Sequence, residues 1–362
     1  MLSKRLLINK INTTWQTKKL KDCIEKVKYT EKIQRKEFLE FGNFPIVSQE
    51  SDFINGYWNN KKDLFQIKTP VIIFGDHTQV LKYIDFNFVL GADGVKILQP
   101  KKNLNTKYFY YFLQSINLKR LGYARHYRLL EEVEISYPES LSAQKRIVKV
   151  LDKIFEGIDK SKKNTEKNLE NSRELFESYL QSIFSNPGKG WEEKKLVEII
   201  KLEYGKPLNK IDRNENGKFP VYGANGEKDR TNRFYYDKQT IIVGRKGSAG
   251  ELNLTENKFW PLDVTYFVVF DRKKYNLKFI YFLLSTLKLT KLAKGVKPGI
   301  NRNDVYSINI FTPSLKEQKT IVKKLDALSA ETKKLESIYQ KKLDDLEELK
   351  KSILNKAFTG ML

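Results

Sequence analysis

Two long stretches of the chain carry apolar positions three and four residues apart. The first runs Ile147, Leu151, Ile154, Ile158, Ser161, Thr165, Leu169, Ser172, Leu175, Tyr179 and Ile183. The second runs Ile321, Leu325, Leu328, Thr332, Leu335, Tyr339, Leu343, Leu346, Leu349 and Ile353. Charged residues flank both, so each reads as a heptad-like helical seam. The first seam weakens at Ser161 and Thr165, which predicts a break or loose packing there. Two such seams in one chain are expected to pair with each other, antiparallel, rather than with a second chain. As one straight helix, Ser142 to Phe184 would span roughly 65 Å, a rod holding two globular domains apart.

Ahead of each seam lies a mixed segment of short apolar runs broken by Gly, Pro, Asn and Asp. Val71-Ile72-Ile73-Phe74 before Gly75 and Thr240-Ile241-Ile242-Val243 before Gly244 predict strands. Tyr108 to Leu113 and Phe279 to Leu284 are aromatic-rich with helical spacing and predict short buried helices. Tyr110 and Tyr281 are expected to pack in the core there rather than stack on bases. Each segment ends at a proline, Pro138 or Pro313, and a helix signal follows. Ser142 is read as the first cap, without the acidic partner of a capping box. Ser314 caps the second helix, with Glu317 in its first turn.

These segments repeat. Trp15-Gln16-Thr17-Lys18-Lys19-Leu20 returns as Trp191-Glu192-Glu193-Lys194-Lys195-Leu196. Phe44-Pro45-Ile46-Val47 returns as Phe219-Pro220-Val221-Tyr222. Lys107 to Leu113 returns as Lys278 to Leu284, and Gln144 to Asp152 as Gln318 to Asp326. Order is kept and each offset is roughly 175 residues, too long for a solenoid. The expected fold is α+β: two globular domains separated by two long antiparallel, coiled-coil-like helices, duplicated with pseudo-twofold symmetry. The boundaries fall at 1–140, 141–186, 187–313 and 314–362.

Composition adds a partner. The 362 residues hold 67 Lys and Arg against 44 Asp and Glu, a net charge of +23. Such an excess points to a polyanion, nucleic acid first, although Lys-rich usage also arises from a biased genome. The one cysteine, Cys23, excludes a disulfide framework and a cysteine metal cluster and suits a reducing cytoplasm. The stretch Met1 to Lys10 is basic, and its apolar patch, Leu6-Leu7-Ile8, is too short for a signal peptide or a membrane span. A cytoplasmic protein without a membrane is expected.

Catalytic tools do not stand out. Gly244-Arg245-Lys246-Gly247-Ser248-Ala249-Gly250 is glycine-rich after a strand, but its lysine precedes the second glycine, unlike a phosphate-binding loop. It and its counterpart Gly75-Asp76-His77-Thr78 read as strand-to-loop turns. His77 and His126 lack metal-ligand spacing. Asn186-Pro187-Gly188 is similar to the Asn-Pro-Pro motif of amino-methyltransferases but lacks the second proline and the aromatic. It sits where a helix ends.

Several strings resemble the specificity subunit of type I restriction–modification enzymes. In the first half they are Ile73 to Thr78, Lys82-Tyr83-Ile84-Asp85-Phe86 and Phe88 to Val95. In the second half they are Tyr204-Gly205-Lys206-Pro207, Phe219 to Gly226 and Gly244 to Gly247. Ser142 to Val148 and Leu315 to Val322 resemble the family's helix openings, and Leu349 to Leu362, with Lys356-Ala357-Phe358-Thr359-Gly360, its closing string. The resemblance covers nearly the whole chain. The halves differ where one has Ser48-Gln49-Glu50-Ser51-Asp52 and the other Gly223-Ala224-Asn225-Gly226, so they are expected to read different half-sites.

The resemblance implies that each domain reads one half of a split double-stranded DNA target through the major groove. The helices would set the gap and dock two modification subunits that methylate adenine. Restriction (motor-nuclease) subunits would join to cut unmodified DNA. The chain itself would catalyse nothing and bind no cofactor; S-adenosylmethionine, ATP and Mg are expected on the partner subunits. DNA contacts are expected from basic, amide or aromatic loop residues. In the first domain these are His77, Thr78, Arg125, His126 and Arg128, the last three within Tyr123-Ala124-Arg125-His126-Tyr127-Arg128. In the second they are Lys206, Arg245, Lys246, Lys297, Asn301 and Arg302. A coiled-coil scaffold joining two protein-binding domains is the competing reading. A standalone DNA-modifying enzyme is disfavoured by the missing motifs.

Overall fold

The computed structural model describes residues 14–119, 121–122 and 124–358. The basic stretch Met1 to Lys10, Tyr123 and the end of the closing string, Thr359 to Leu362, lie outside the described residues. The helices are α1 (Leu20–Cys23), α2 (Thr106–Ser115), α3 (Tyr127–Glu131), α4 (Leu141–Ser185), α5 (Leu277–Thr286), α6 (Arg302–Tyr306) and α7 (Leu315–Phe358). The chain divides into two compact units, Met1–Glu166 with Lys341–Leu362, and Lys167–Gln340. Each unit therefore holds the start of one long helix and the end of the other.

In the first unit, Trp15–Lys19 pairs antiparallel with Glu134–Pro138 just before α4. A four-stranded sheet follows in the order Ile24–Glu25, Val95–Pro100, Val71–Gly75, Leu81–Ile84. Val71 to Phe74 are all buried, because both faces of this central strand are covered. Ile72 and Phe74 face the cluster built on α2, and Val71 and Ile73 face a second cluster with Phe88 and Leu90. That second face carries a sheet with Phe88–Gly91 at its centre, flanked by parallel pairing to Lys32–Ile33 and Phe44–Val47.

The second unit repeats the plan. Glu192–Lys195 pairs with Asn309–Thr312, and Ile200–Tyr204, Thr265–Phe270, Ile241–Gly244 and Leu252–Leu254 form a sheet in the same order. Its third sheet is smaller, with Phe219–Gly223 between Gly226–Thr231 and Trp260–Pro261. The helices α2 and α5 are matched to the residue in their caps. Asn105 Oδ1 accepts from Lys107 N and Tyr108 N, and Asn276 Oδ1 accepts from Phe279 N.

The repeated glutamines explain why that string recurs. Gln144, fully buried, accepts from Asn105 N at 2.7 Å and donates to Asn103 O at 3.0 Å and Pro138 O at 2.7 Å. Gln318 accepts from Asn276 N at 2.9 Å and donates to Lys274 O at 3.1 Å and Pro313 O at 3.0 Å. One side chain thus ties the long helix, the short helix and the final strand in each unit. Lys107–Asp152 and Lys278–Asp326 repeat a second bond between the same helices, at 3.0 and 2.7 Å.

Three details differ from the sequence expectations. The first long helix is capped by Ser140, whose Oγ accepts from Ala143 N at 3.4 Å, not by Ser142, which lies inside the first turn. No break occurs near Ser161 and Thr165, because α4 runs unbroken from Leu141 to Ser185. Buried Thr165 turns its hydroxyl back onto Ser161 O at 2.7 Å, and Ser172 does the same onto Asn168 O at 2.8 Å, so neither leaves an unmet polar group. Tyr110 and Tyr281 pack against the core clusters of their units, but only half-buried.

Within the first unit the long helices run antiparallel. The Lys350 ammonium lies 5.3 Å over the Phe155 ring, and about two turns further along α4 Lys162 meets Glu347 at 2.6 Å. The end of α7 is core: Phe358 contacts Tyr108 and Phe112 edge-on, at 5.2 and 5.3 Å between centroids. In the second unit the end of α4 plays this part, with Phe184 5.3 Å from Phe279.

Candidate nucleic-acid interface

The loops of each domain converge where the central strand ends at its glycine. In the first domain the residue after Gly75 is Asp76, only 3% exposed. Its N–H donates to Gly94 O at 2.7 Å. Its carbonyl accepts from His126 N at 2.8 Å and faces His126 Nδ1 at 2.9 Å. Its carboxylate accepts from Tyr127 N at 2.7 Å. Two loops are thereby fastened to one buried residue on a third.

A fourth loop joins through Gln49. Its amide oxygen accepts from His77 N at 3.1 Å, and its carbonyl accepts from Thr78 Oγ1 at 2.6 Å. Gly94, at φ +71°, lies so close to this side chain that a Cβ would come within 2.7 Å of Gln49 Oε1. The same loop is held from below by Lys82, 3% exposed, which donates to the Asp52 carbonyl and to Asn55 Oδ1. Burial pushes the Lys82 ammonium pKa down to about 8.

In the second domain the residue after Gly244 is Arg245, and the backbone wiring is the same. Arg245 N donates to Val264 O at 2.9 Å, and Ile300 N donates to Arg245 O at 3.0 Å. The side chain points elsewhere. Its Nε donates to Asp263 O at 3.0 Å, Nη2 donates to the same carbonyl, and the guanidinium lies 5.5 Å over the Tyr204 ring. Arg302 lies 5.3 Å over the same ring. Tyr204 is 45% exposed and packs edge-on against Tyr266 at 5.0 Å. Beside this group a hairpin closes through reciprocal Lys294–Gly299 bonds of 2.9 and 3.0 Å, with Gly295 at φ +93° in its turn. It carries Lys297 at its tip and meets Lys246 through a bridge to Gly299.

The sequence candidates fall into two groups. Arg125, Arg128, Lys206, Lys246 and Lys297 are exposed, and Arg245 and Arg302 are half-buried beside Tyr204. His126 is corrected: at 1% exposure it is a buried strut, its Nε2 accepting from Leu121 N at 3.1 Å. Thr78 is exposed, but its hydroxyl fastens Gln49 and accepts from Val80 N at 3.3 Å. His77 is half-buried against Gly94. Asn301 spends its amide oxygen on Asn303 N at 2.9 Å as the cap of α6, so a bidentate base contact by that amide would compete with the cap. Asp76, Gln49 and Tyr204 were missed as organising residues. The available signal was position, since Asp76 and Arg245 each follow the glycine that ends a matched apolar run.

Comparison with known proteins converges on one family. The family model described as the type I restriction modification DNA specificity domain matches residues 12–171 and again 188–347. The Escherichia coli EcoR124I/EcoR124II type I restriction enzyme specificity subunit is 25% identical over 334 residues, covering 81% of each chain. The putative MjaX specificity subunit of Methanocaldococcus jannaschii is 25% identical over 313 residues, covering 76% of this chain and 72% of that one. Among solved structures, a chain described under complex assembly and conformational transition of the type I R-M system aligns with TM-score 0.74 and 16% identity, covering 96% of this chain and 98% of its own. The HsdS subunit of Thermoanaerobacter tengcongensis aligns at TM-score 0.54 and 15% identity, covering 96% and 97%. At those identities the structural likeness speaks to the fold. No helix among the described residues is long and apolar enough to cross a membrane.

Proposed function

Because the chain belongs to the type I restriction modification DNA specificity family, with two copies of its domain, we propose that each domain reads one half of a bipartite DNA target. It is the DNA specificity subunit of a type I restriction–modification system. The long helices set the distance between half-sites and dock two modification subunits, and restriction subunits join that assembly in the cytoplasm. The chain catalyses nothing; S-adenosylmethionine, ATP and Mg belong to the partner subunits.

One observation carries the reading of different half-sites. The two domains share the hydrogen-bonded frame around residues 76 and 245, yet place an inward carboxylate in one and an outward guanidinium in the other. A frame kept constant beneath side chains that differ is what two readers with one partner and two targets require. The +23 charge supplies the sequence-independent attraction to phosphate.

The test is binding of the chain, assembled with its modification subunits, to a library of split DNA sites across a salt series. The reading predicts one enriched bipartite sequence, and affinity that falls steeply with salt at random and specific sites alike. Binding indifferent to sequence in the assembled complex would overturn it.

A further inference from the structure

The guanidinium of Arg245 is unusually constrained for a surface cation. Its Nε and Nη2 edge is closed onto the Asp263 carbonyl, and its plane lies over the Tyr204 ring. Its backbone is pinned on both sides by Val264 and Ile300. The Nη1 and Nη2 end remains to meet a ligand. Among the described residues no carboxylate forms an ion pair with Arg245 or Arg302, whereas nearby Lys201 and Lys294 are paired with Glu203 and Asp304. Two guanidinium groups on one aromatic ring with no counter-ion form a prepared acceptor-binding site.

Resting on the proposed reading of DNA, we propose that Arg245 reads a guanine in the half-site of the second domain, with Tyr204 as its positioning residue. A fixed guanidinium with two parallel N–H donors matches the O6 and N7 acceptors that guanine presents in the major groove. A phosphate contact does not need this rigidity, and the many exposed lysines of the chain serve it. The location also favours a base. Residue 245 stands on the shared frame at the point where the first domain has Asp76 turned inward, so this position differs between the two readers. In the first domain the matched residue, Asp76, is committed to Tyr127 N and offers no guanidinium at this position.

The experiment uses the chain assembled with its modification subunits and its selected target. Each guanine of both half-sites is replaced singly by 7-deazaguanine, which removes the N7 acceptor. Binding should weaken roughly tenfold at one guanine of one half-site only. In Arg245→Ala and in Arg245→Lys, which keeps the charge but not the fork, the same replacement should cost less than about twofold. Tyr204→Phe should keep the N7 dependence, and Tyr204→Leu should weaken it while Arg245 is still present. The proposal falls if no guanine responds, or if the response survives in both Arg245 variants. It falls equally if those variants bind specific and random DNA with the same loss and a salt slope reduced by about one, which marks a phosphate contact. Wild-type binding that ignores sequence would instead overturn the function reading beneath it.

Discussion

The carbonyl oxygen of Asp76 accepts the backbone N–H of His126 at 2.8 Å and faces its ring Nδ1 at 2.9 Å. Leu121 N donates to the ring Nε2, which leaves Nδ1 to donate to that carbonyl. His126 is therefore a strut under the loop that carries Arg125 and under the start of α3, which carries Arg128.

Replacing that strut should uncouple the loop. His126→Leu removes two buried ring hydrogen bonds and should cost about 2 kcal/mol, read by chemical denaturation. Recognition of the first domain's half-site should weaken while that of the second is kept. A loss of discrimination in both half-sites would contradict a local role.

The matched glutamines predict matched energetics. Gln144→Ala and Gln318→Ala each leave one buried N–H and two carbonyls without their partner. Each should destabilise by about 3 kcal/mol, and by similar amounts. Denaturation of the two variants that differed severalfold would show the duplication to be geometric but not energetic.

The end of α7 should be indispensable to the first unit. Phe358 packs on Tyr108 and Phe112, so Phe358→Ala should cost about 3–5 kcal/mol and lower Tm by on the order of 10 °C. Leu349→Ala, at a 47% exposed seam position, should cost far less. Equal losses in thermal denaturation would place the packing elsewhere.

Lys82 gives a pH signature. Its folded pKa of about 8 lies below the ordinary 10.5. Between those values the unfolded chain binds more protons, so stability rises with pH there, and the cost of burying the charge is present in full below about pH 8. Against Lys82→Met, the wild-type difference in unfolding free energy should be flat below pH 8. It should then climb, by at most about 1.4 kcal/mol per pH unit, toward 10.5. A difference flat throughout would mean the ammonium is not buried as described.

Much of this fold was legible because its signals are local and occur twice. Val71 to Phe74 and Ile241 to Val243 are short β-branched runs that end at glycine, and both are central strands. The seams of α4 and α7 show in the spacing of their leucines and isoleucines. The polar seam residues misled, because Thr165 satisfies its hydroxyl on its own helix, which spacing cannot reveal. The candidate site was less legible. A histidine in a basic loop looks the same whether it faces DNA or, like His126, lies beneath the loop. Asn301 likewise carries no local mark that separates a cap from a base contact. Asp76 and Arg245 occupy one node only because strands distant in sequence bring Gly94 and Val264 beside them.

The central claim is that two domains on one frame read two different pieces of DNA. The direct measurement is the methylated motif produced in cells by the assembled system, compared with that of a chimera whose residues 187–313 come from a relative of different specificity. Replacement of one half of the motif, with the other half unchanged, is the predicted result. A motif altered in both halves, or in neither, would contradict it.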